Sequence, residues 1–232
     1  MGFADALSHA GVKWLAASPE TMLAPGVPSG VAHAIAAHPD DPAAMAGAIV
    51  HDVMSAAYPS PFGPIRPAAA FDVLDLDAAK IARAESAIKR LDDDLVSAAK
   101  SQPSSRAAIR ADVRGIEGMV RFPGADRDLP WHADRPAMAV YGTLANDARL
   151  GDPLRSEARA AREAVGALVL AHRESHSFGP FGGADYSDAV GPTVHLPTTR
   201  SQIDPWARAG ITETANAFYK AVDGDRVAGV LA

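Results

Sequence analysis

The longest amphipathic segment of this chain constrains its fold more than any other sequence feature. Between residues 76 and 100, apolar side chains recur three and four positions apart, a spacing that aligns them along one face of an α-helix. The stripe consists of Ile81, Ala84, Ile88, Leu91, Leu95 and Ala98. We expect Asp75 to cap the first turn and the acidic run at 92–94 to face solvent. The pattern predicts a helix that packs along its whole length.

Two other segments combine a helix-start signal with an apolar stripe. Residues 41–42 and residues 152–153 are both Asp-Pro, in which the Asp side chain can cap backbone N–H groups and the proline is preset for the first helical turn. The first predicted helix runs to about Ala57, and the second stripe continues to His172. A shorter helix is predicted around residues 138–147.

Three short apolar runs, bounded by glycine or proline, predict β-strands at residues 12–17, 71–74 and 192–197. Proline at both ends of the last run is compatible with a strand, because only interior positions must donate to neighbours. Residues 25–30 contain two prolines and two glycines and therefore predict a loop. Strands mixed with long helices indicate an α/β fold.

Composition and charge exclude several classes of function. The net charge is −6, with 28 acidic and 22 basic residues and no long run of one sign, so a nucleic-acid partner is not expected. No apolar run approaches the roughly 18 residues of a membrane span, and the first residues do not resemble a secretory signal. Cysteine is absent, which excludes disulfides and thiol nucleophiles from this chain. The compartment is not predicted.

The polar residues do not form a recognisable catalytic or metal-binding motif. His172 and His176 are four residues apart, but Glu174 is two positions after the first histidine rather than directly after it, as the zinc-peptidase helix requires. We therefore predict no metal site. Ser29 lies between glycines at 26 and 30, but a proline directly precedes it, unlike in a serine-hydrolase elbow.

Three stretches become informative when they are taken in order along the chain. They are residues 14–21 (Trp-Leu-Ala-Ala-Ser-Pro-Glu-Thr) with Pro-Gly at 25–26, residues 37–50, and residues 191–198. Together they resemble the clostripain family of caspase-like cysteine peptidases, in the half that follows the nucleophile. The similar family features are a strand ending in Ala-Ser-x-Glu with a Pro-Gly turn, a helix with an Ile-Val pair, and a late Gly-x-Ser-Ile-Tyr-x-Pro strand.

The resemblance implies a fold and a division of the chain. The expected fold is a partial caspase-like αβα sandwich, holding the later strands, with a mostly helical extension. Residues 1–75 would be the remainder of the catalytic domain. Residues 76–232 would be the extension, with the strand at 192–197 returning to the sheet.

The implied activity is that of a cysteine endopeptidase whose thiolate is activated by a histidine. If Met1 and Gly2 match the Met-Gly that follows the family's nucleophile, both catalytic groups lie upstream, and this chain is expected to be inactive alone. No catalytic residue is assigned. Substrate binding is predicted for Ser18, Glu20, Gly26 and Pro28.

The expected partners are a peptide or protein substrate and an N-terminal half that carries the histidine and the cysteine. Calcium is implied by the resemblance only, and no cofactor follows from the residues. Two alternatives remain open: a non-catalytic partner or regulatory subunit on the same scaffold, and an unrelated helical binding protein. The latter would be favoured if the strands at 12–17 and 193–196 did not join one sheet.

Overall fold

The computed structural model describes residues 2–18, 28–59, 69–118, 133–174, 185–203 and 224–232. Within these ranges the chain is a mixed α/β protein in which helices predominate. The elements, in chain order, are α1 (Gly2–His9), β1 (Trp14–Ala17), α2 (Gly30–Ala37), α3 (Pro42–Ser55), β2 (Ala70–Asp75), α4 (Ala78–Ser101), α5 (Pro103–Gly115), β3 (Asp134–Pro136), α6 (Ala137–Asn146), α7 (Asp152–Gly166), β4 (Val169–Glu174), β5 (Thr193–His195), a 3-10 turn (Arg200–Gln202) and α8 (Gly224–Leu231).

The larger sheet has three strands in the order β1-β2-β4, and both pairings are antiparallel. Leu15 of β1 lies opposite Leu74 of β2, and His172 of β4 lies opposite Asp72 of β2. The register between β2 and β4 shifts beside Val73. The predicted strands at 12–17 and 71–74 are confirmed as β1 and β2.

Helices pack against both faces of this sheet. Because successive strand residues point to opposite faces, Phe71 and Val73 bury against α3, whereas Leu74 joins the core cluster that contains the apolar stripe of α4. The same cluster includes the buried faces of α6 and α7. The larger core therefore lies on the α4 side of the sheet, and the α/β class predicted from the sequence is confirmed.

Aspartate side chains cap the first turns of α3 and α4. Oδ1 of Asp41 accepts hydrogen bonds from the backbone N–H groups of Ala43 and Ala44 at 3.1 and 3.0 Å, as predicted for α3. The cap of α4 is Asp77 rather than Asp75. Asp75 instead accepts from the N–H of Asp77 and from Nζ of Lys80, because β2 extends through Asp75 and the helix can begin only after it.

The 24-residue helix α4 carries the predicted stripe, and its five members from Ile81 to Leu95 are buried. Its acidic run differs from the prediction, since Asp92 is only 6% exposed and lies on the side that faces Tyr141 of α6. Burial, reinforced by the negative charge of Asp92, raises the pKa of Tyr141. Among the helices that the structure describes, none has both the length and the apolar content needed to cross a membrane.

The segment that contains His172 is a strand, not the continuation of a helix. Helix α7 ends at Gly166, and β4 begins three residues later at Val169. The backbone N–H of Asp75 donates to the carbonyl of Leu168 at 2.7 Å, so pairing with β2 begins directly after the helix. The prediction that His172 continues the α7 stripe, and could share a helix face with His176, is therefore wrong; His176 itself lies outside the described residues.

The late strand predicted at 192–197 exists as β5, but it pairs with β3 in a separate two-stranded ribbon. β5 therefore pairs outside the sheet that contains β1, contrary to the prediction that this strand returns to that sheet. Arg135, in β3, is 3% exposed, and its guanidinium donates to the carbonyls of Ile116, Ala133 and Leu196. Burial lowers its pKa to about 10, so it stays charged at neutral pH and fixes the ribbon to the end of α5.

Candidate functional site

The predicted substrate-binding residues are only partly within the described structure. Oγ of Ser18 donates to the carbonyl of Ala70 at 2.8 Å, which fastens the end of β1 to β2. Pro28 lies just before α2, and its carbonyl accepts from the N–H of Val31. Glu20 and Gly26 lie outside the described residues, so a shared substrate groove for these four residues stays a prediction.

A buried polar network crosses the larger sheet. Nδ1 of His172 lies 2.6 Å from Oδ1 of Asp72, and Oδ2 of Asp72 accepts from the backbone N–H of Gly191 at 3.1 Å. On the other side of the ring, Nε2 of His172 lies 2.7 Å from a carboxylate oxygen of Glu174. The two atoms are within ion-pair distance, but they are not aligned as a hydrogen bond. Asp72 and His172 meet because they are register partners on β2 and β4.

Both members of the central pair have shifted pKa values. Burial acts to lower the pKa of His172, but the hydrogen bond and charge of Asp72, with the charge of Glu174, outweigh it and raise this pKa. Burial raises the pKa of Asp72, and the contact with His172 offsets only part of that change. The folded pair therefore binds protons more tightly than the same groups do in water.

The network resembles the orienting half of an acid–base site, in which a carboxylate fixes one ring nitrogen and leaves the other to act on a substrate. Here the second nitrogen, Nε2, is buried and faces Glu174. A substrate could reach it only after Glu174 had moved. In the described part of the chain, no three histidine, aspartate or glutamate side chains converge to hold a metal ion.

A second polar cluster lies where α5, α6 and α7 meet. Arg149, in the α6–α7 turn, donates from Nη2 to Oδ1 of Asp112 at 2.5 Å and from Nε to both carboxylate oxygens of Asp147 at 2.9 Å. The side chains of Asp112 and Asp147 are 9% and 10% exposed, whereas that of Arg149 is 57% exposed. One solvated guanidinium thus joins two nearly buried carboxyl groups.

The pKa values of the two carboxyl groups are shifted in opposite directions. Burial and the nearby Asp147 raise the pKa of Asp112 to about 6, although Arg149 acts to lower it. The hydrogen bond from Arg149 lowers the pKa of Asp147 to about 2. Oδ2 of Asp112 is buried and has no hydrogen-bond acceptor or donor within the described residues. A side-chain hydrogen bond between Asp112 and Asp147 contributes to both shifts: it raises the pKa of Asp112 and lowers that of Asp147.

These carboxyl groups form one wall of an open cavity of about 650 Å³, which we call the helical groove. Its lining also includes the apolar residues Ile116 and Met138 and the basic residue Arg162 of α7. A Cβ atom placed on Gly142 would lie 3.5 Å from Cζ and Nε of Arg162, so the guanidinium group extends across the bare backbone of α6. The groove combines an apolar surface with a cation.

Sequence reasoning did not find the helical groove. Asp112, Gly142, Asp147 and Arg162 come from three helices and a turn, and no short motif connects them. The one available signal was Gly142, which interrupts an otherwise apolar helical run at a cost in helix propensity. A glycine in such a position often marks a close approach by another group.

Comparison of the chain with protein-family models, with curated protein sequences and with solved structures finds no match in any of the three. A family is therefore not assigned on similarity.

Proposed function

We propose that this chain is a helical binding protein and that the helical groove holds a small organic ligand. One observation carries the proposal: Arg162, exposed and without a partner among the described residues, lines the same open cavity as the apolar residues Ile116 and Met138. Ligand sites commonly combine apolar walls with a few polar groups that orient the ligand.

The polar network of the larger sheet favours a binding function over a catalytic one for this chain. Its histidine network is closed, since Nε2 of His172 faces Glu174 within the protein, and the chain has no cysteine to serve as a thiol nucleophile. In addition, β1 and β5 lie in different sheets. That is the arrangement expected of the alternative in which the chain is unrelated to the peptidases.

The proposal can be tested by titrating the ¹⁵N-labelled protein with three eight-carbon probes: octanoate, octan-1-ol and octylammonium. At least one probe should shift the amide signals of Met138, Gly142 and Thr143, which line the groove. Gly142→Leu should abolish those shifts by filling the cavity. Gly47→Leu is the matched control, because a Cβ on Gly47 in α3 meets nothing within 4 Å. Binding in the groove is rejected if none of the probes shifts these signals.

The second candidate is the C-terminal part of a clostripain-like cysteine endopeptidase, in which the partial caspase-like sandwich is completed by an N-terminal half carrying histidine and cysteine. Two features support it: helices pack on both faces of the sheet, and β1 ends at Ala17, where the resemblance places a strand end. In that case the partner is a peptide or protein substrate. Calcium dependence would follow the family.

This second candidate has its own test. The in-frame sequence upstream of Met1 would be recovered and the extended chain assayed with fluorogenic Arg and Lys peptides. The peptidase proposal predicts cleavage that is lost when the recovered cysteine is replaced by serine. If the upstream sequence contains no cysteine before an in-frame stop codon, the proposal is wrong. Ser18→Ala in an active extended chain would then show whether the predicted substrate residue affects KM.

A further inference from the structure

We propose that the ligand of the helical groove is an amphiphilic carboxylate, whose anionic group binds Arg162 while its apolar body lies against Ile116 and Met138. This inference rests on the proposed binding function and narrows it to one chemical class. It follows from which charged side chains of the groove already have partners within the protein and which do not.

The acidic side chains of the groove are not available to attract a cation. Asp112 and Asp147 share the guanidinium of Arg149 through three hydrogen bonds, and each is about nine-tenths buried. Asp188, which also lines the groove, has an interaction partner of its own. Oδ1 of Asp188 is buried and has no hydrogen-bond partner in the described part of the chain, so among the described lining residues the exposed charge without a partner is the positive charge of Arg162.

Arg162 provides that positive charge in a suitable position. It forms no hydrogen bond or ion pair with any described residue, and its guanidinium lies 3.5 Å from where a side chain at position 142 would begin. Since residue 142 is glycine, no side chain of α6 lies between the guanidinium and the helix backbone at this position. A planar carboxylate can accept two parallel N–H bonds from such a group.

The rest of the groove is suited to a flexible hydrocarbon. Ile116 and Met138 are half-buried, so each presents apolar surface that a ligand can cover. Methionine adapts its unbranched side chain to irregular ligands. Each methylene group removed from water contributes to affinity in proportion to the area buried. Charge and apolar surface together specify an amphiphile rather than an inorganic anion.

The titration with the three eight-carbon probes tests the carboxylate inference, because the probes share a hydrocarbon tail and differ in head-group charge. Octanoate should bind in the millimolar range expected for a ligand of this size, more tightly than octan-1-ol, and octylammonium should bind least. Acetate, which keeps the charge without the chain, should bind at least tenfold more weakly than octanoate.

Variants test the role of Arg162 separately. Arg162→Gln should weaken octanoate binding about tenfold, the effect of losing a charged hydrogen bond, and leave octan-1-ol binding unchanged. Arg83→Gln is the control, since it removes an exposed positive charge from α4 outside the groove. Equal binding of octanoate and octan-1-ol, or unchanged octanoate binding by Arg162→Gln, would overturn the carboxylate inference and leave ligand binding intact. If no probe binds, both the carboxylate inference and the proposed ligand-binding function are rejected.

Discussion

Asp72 holds His172 inside the sheet, whereas Asp112 and Asp147 hold Arg149 at the wall of the helical groove. In the sheet, the carboxylate has a basic partner on one oxygen and the N–H of Gly191 on the other, and the side chains of Asp72 and His172 are only 4% and 15% exposed. In the groove, the carboxyl groups are similarly buried but their basic partner is 57% exposed.

This difference fits a structural role for the sheet network and the proposed binding role for the groove. A buried pair that loses one member leaves an uncompensated charge in a medium of low polarity, which is costly. A pair with a solvated partner is screened and costs less to disturb. The sheet network should therefore dominate stability, while the charges beside the groove can be altered with little loss of folding.

Asp72→Ala gives the largest expected effect. It leaves the imidazole of His172 and the N–H of Gly191 without their acceptor, so we expect the free energy of unfolding to fall by about 3–5 kcal/mol. Urea denaturation followed by circular dichroism measures this. Asp40→Asn, at an exposed position, should change stability by less than about 0.5 kcal/mol. A loss below about 1 kcal/mol for Asp72→Ala would contradict the structural role.

His172→Gln should cost about 2 kcal/mol at pH 6, because glutamine can replace only part of the charged contact with Asp72. The raised pKa of His172 gives the sign of the pH dependence. Its contribution to stability is complete below the ordinary value of 6.5 and is lost as pH rises through the higher pKa of the folded state. Denaturation from pH 6 to 9 should show a decline that the variant lacks; identical slopes would refute the coupling.

Asp112→Asn tests the cluster beside the groove and should have a smaller effect. The pKa of Asp112 is raised to about 6, so the folded protein binds this proton more tightly than the unfolded chain, and stability falls as pH rises from about 4 to 6. The variant should match the original protein at pH 4 and exceed it by roughly 1–2 kcal/mol at pH 7.5. A shift of about 2 pKa units corresponds to roughly 3 kcal/mol at 1.36 kcal/mol per unit. The expected gain in stability is smaller than that because Arg149 is solvated. A variant that is less stable at pH 7.5 would contradict the raised pKa.

Gly142→Ala is expected to have the smallest effect, and it is a gain. Alanine stabilises a helix interior by about 0.5–1 kcal/mol relative to glycine, and its Cβ would make ordinary contact with Arg162 at 3.5 Å. Thermal unfolding measures the change, with Gly47→Ala as the matched control in α3. A destabilised Gly142→Ala protein would mean that the two helices are packed too closely for a groove at this position.

Local signals predicted much of the helical structure. The Asp-Pro start of α3 and the stripe from Ile81 to Leu95 in α4 depend on residues close together in sequence, and the structure confirms both. His172 was misassigned because it lies four residues after Leu168, a spacing that also fits a helix. Its strand identity is decided by pairing with β2, about 100 residues earlier, which no local pattern reveals.

The candidate site was less accessible to prediction than the fold. Asp112 and Arg149 are 37 residues apart, and each by itself is an ordinary charged residue of a helix or turn. Only the packing of α5, α6 and α7 gives them a common surface. The site residues predicted from the resemblance all lie before residue 30, whereas the groove is lined by residues between 112 and 188.

Arg135 has a consequence for how this protein opens. A ribbon with three residues in each strand is too short to persist in water by itself, so β3 and β5 depend on the bonds that Arg135 makes to Ile116 and Leu196. These bonds join segments 19 and 61 residues away. In native-state hydrogen exchange, the ribbon and the end of α5 should therefore lose protection together, as one cooperative unit with a single opening free energy.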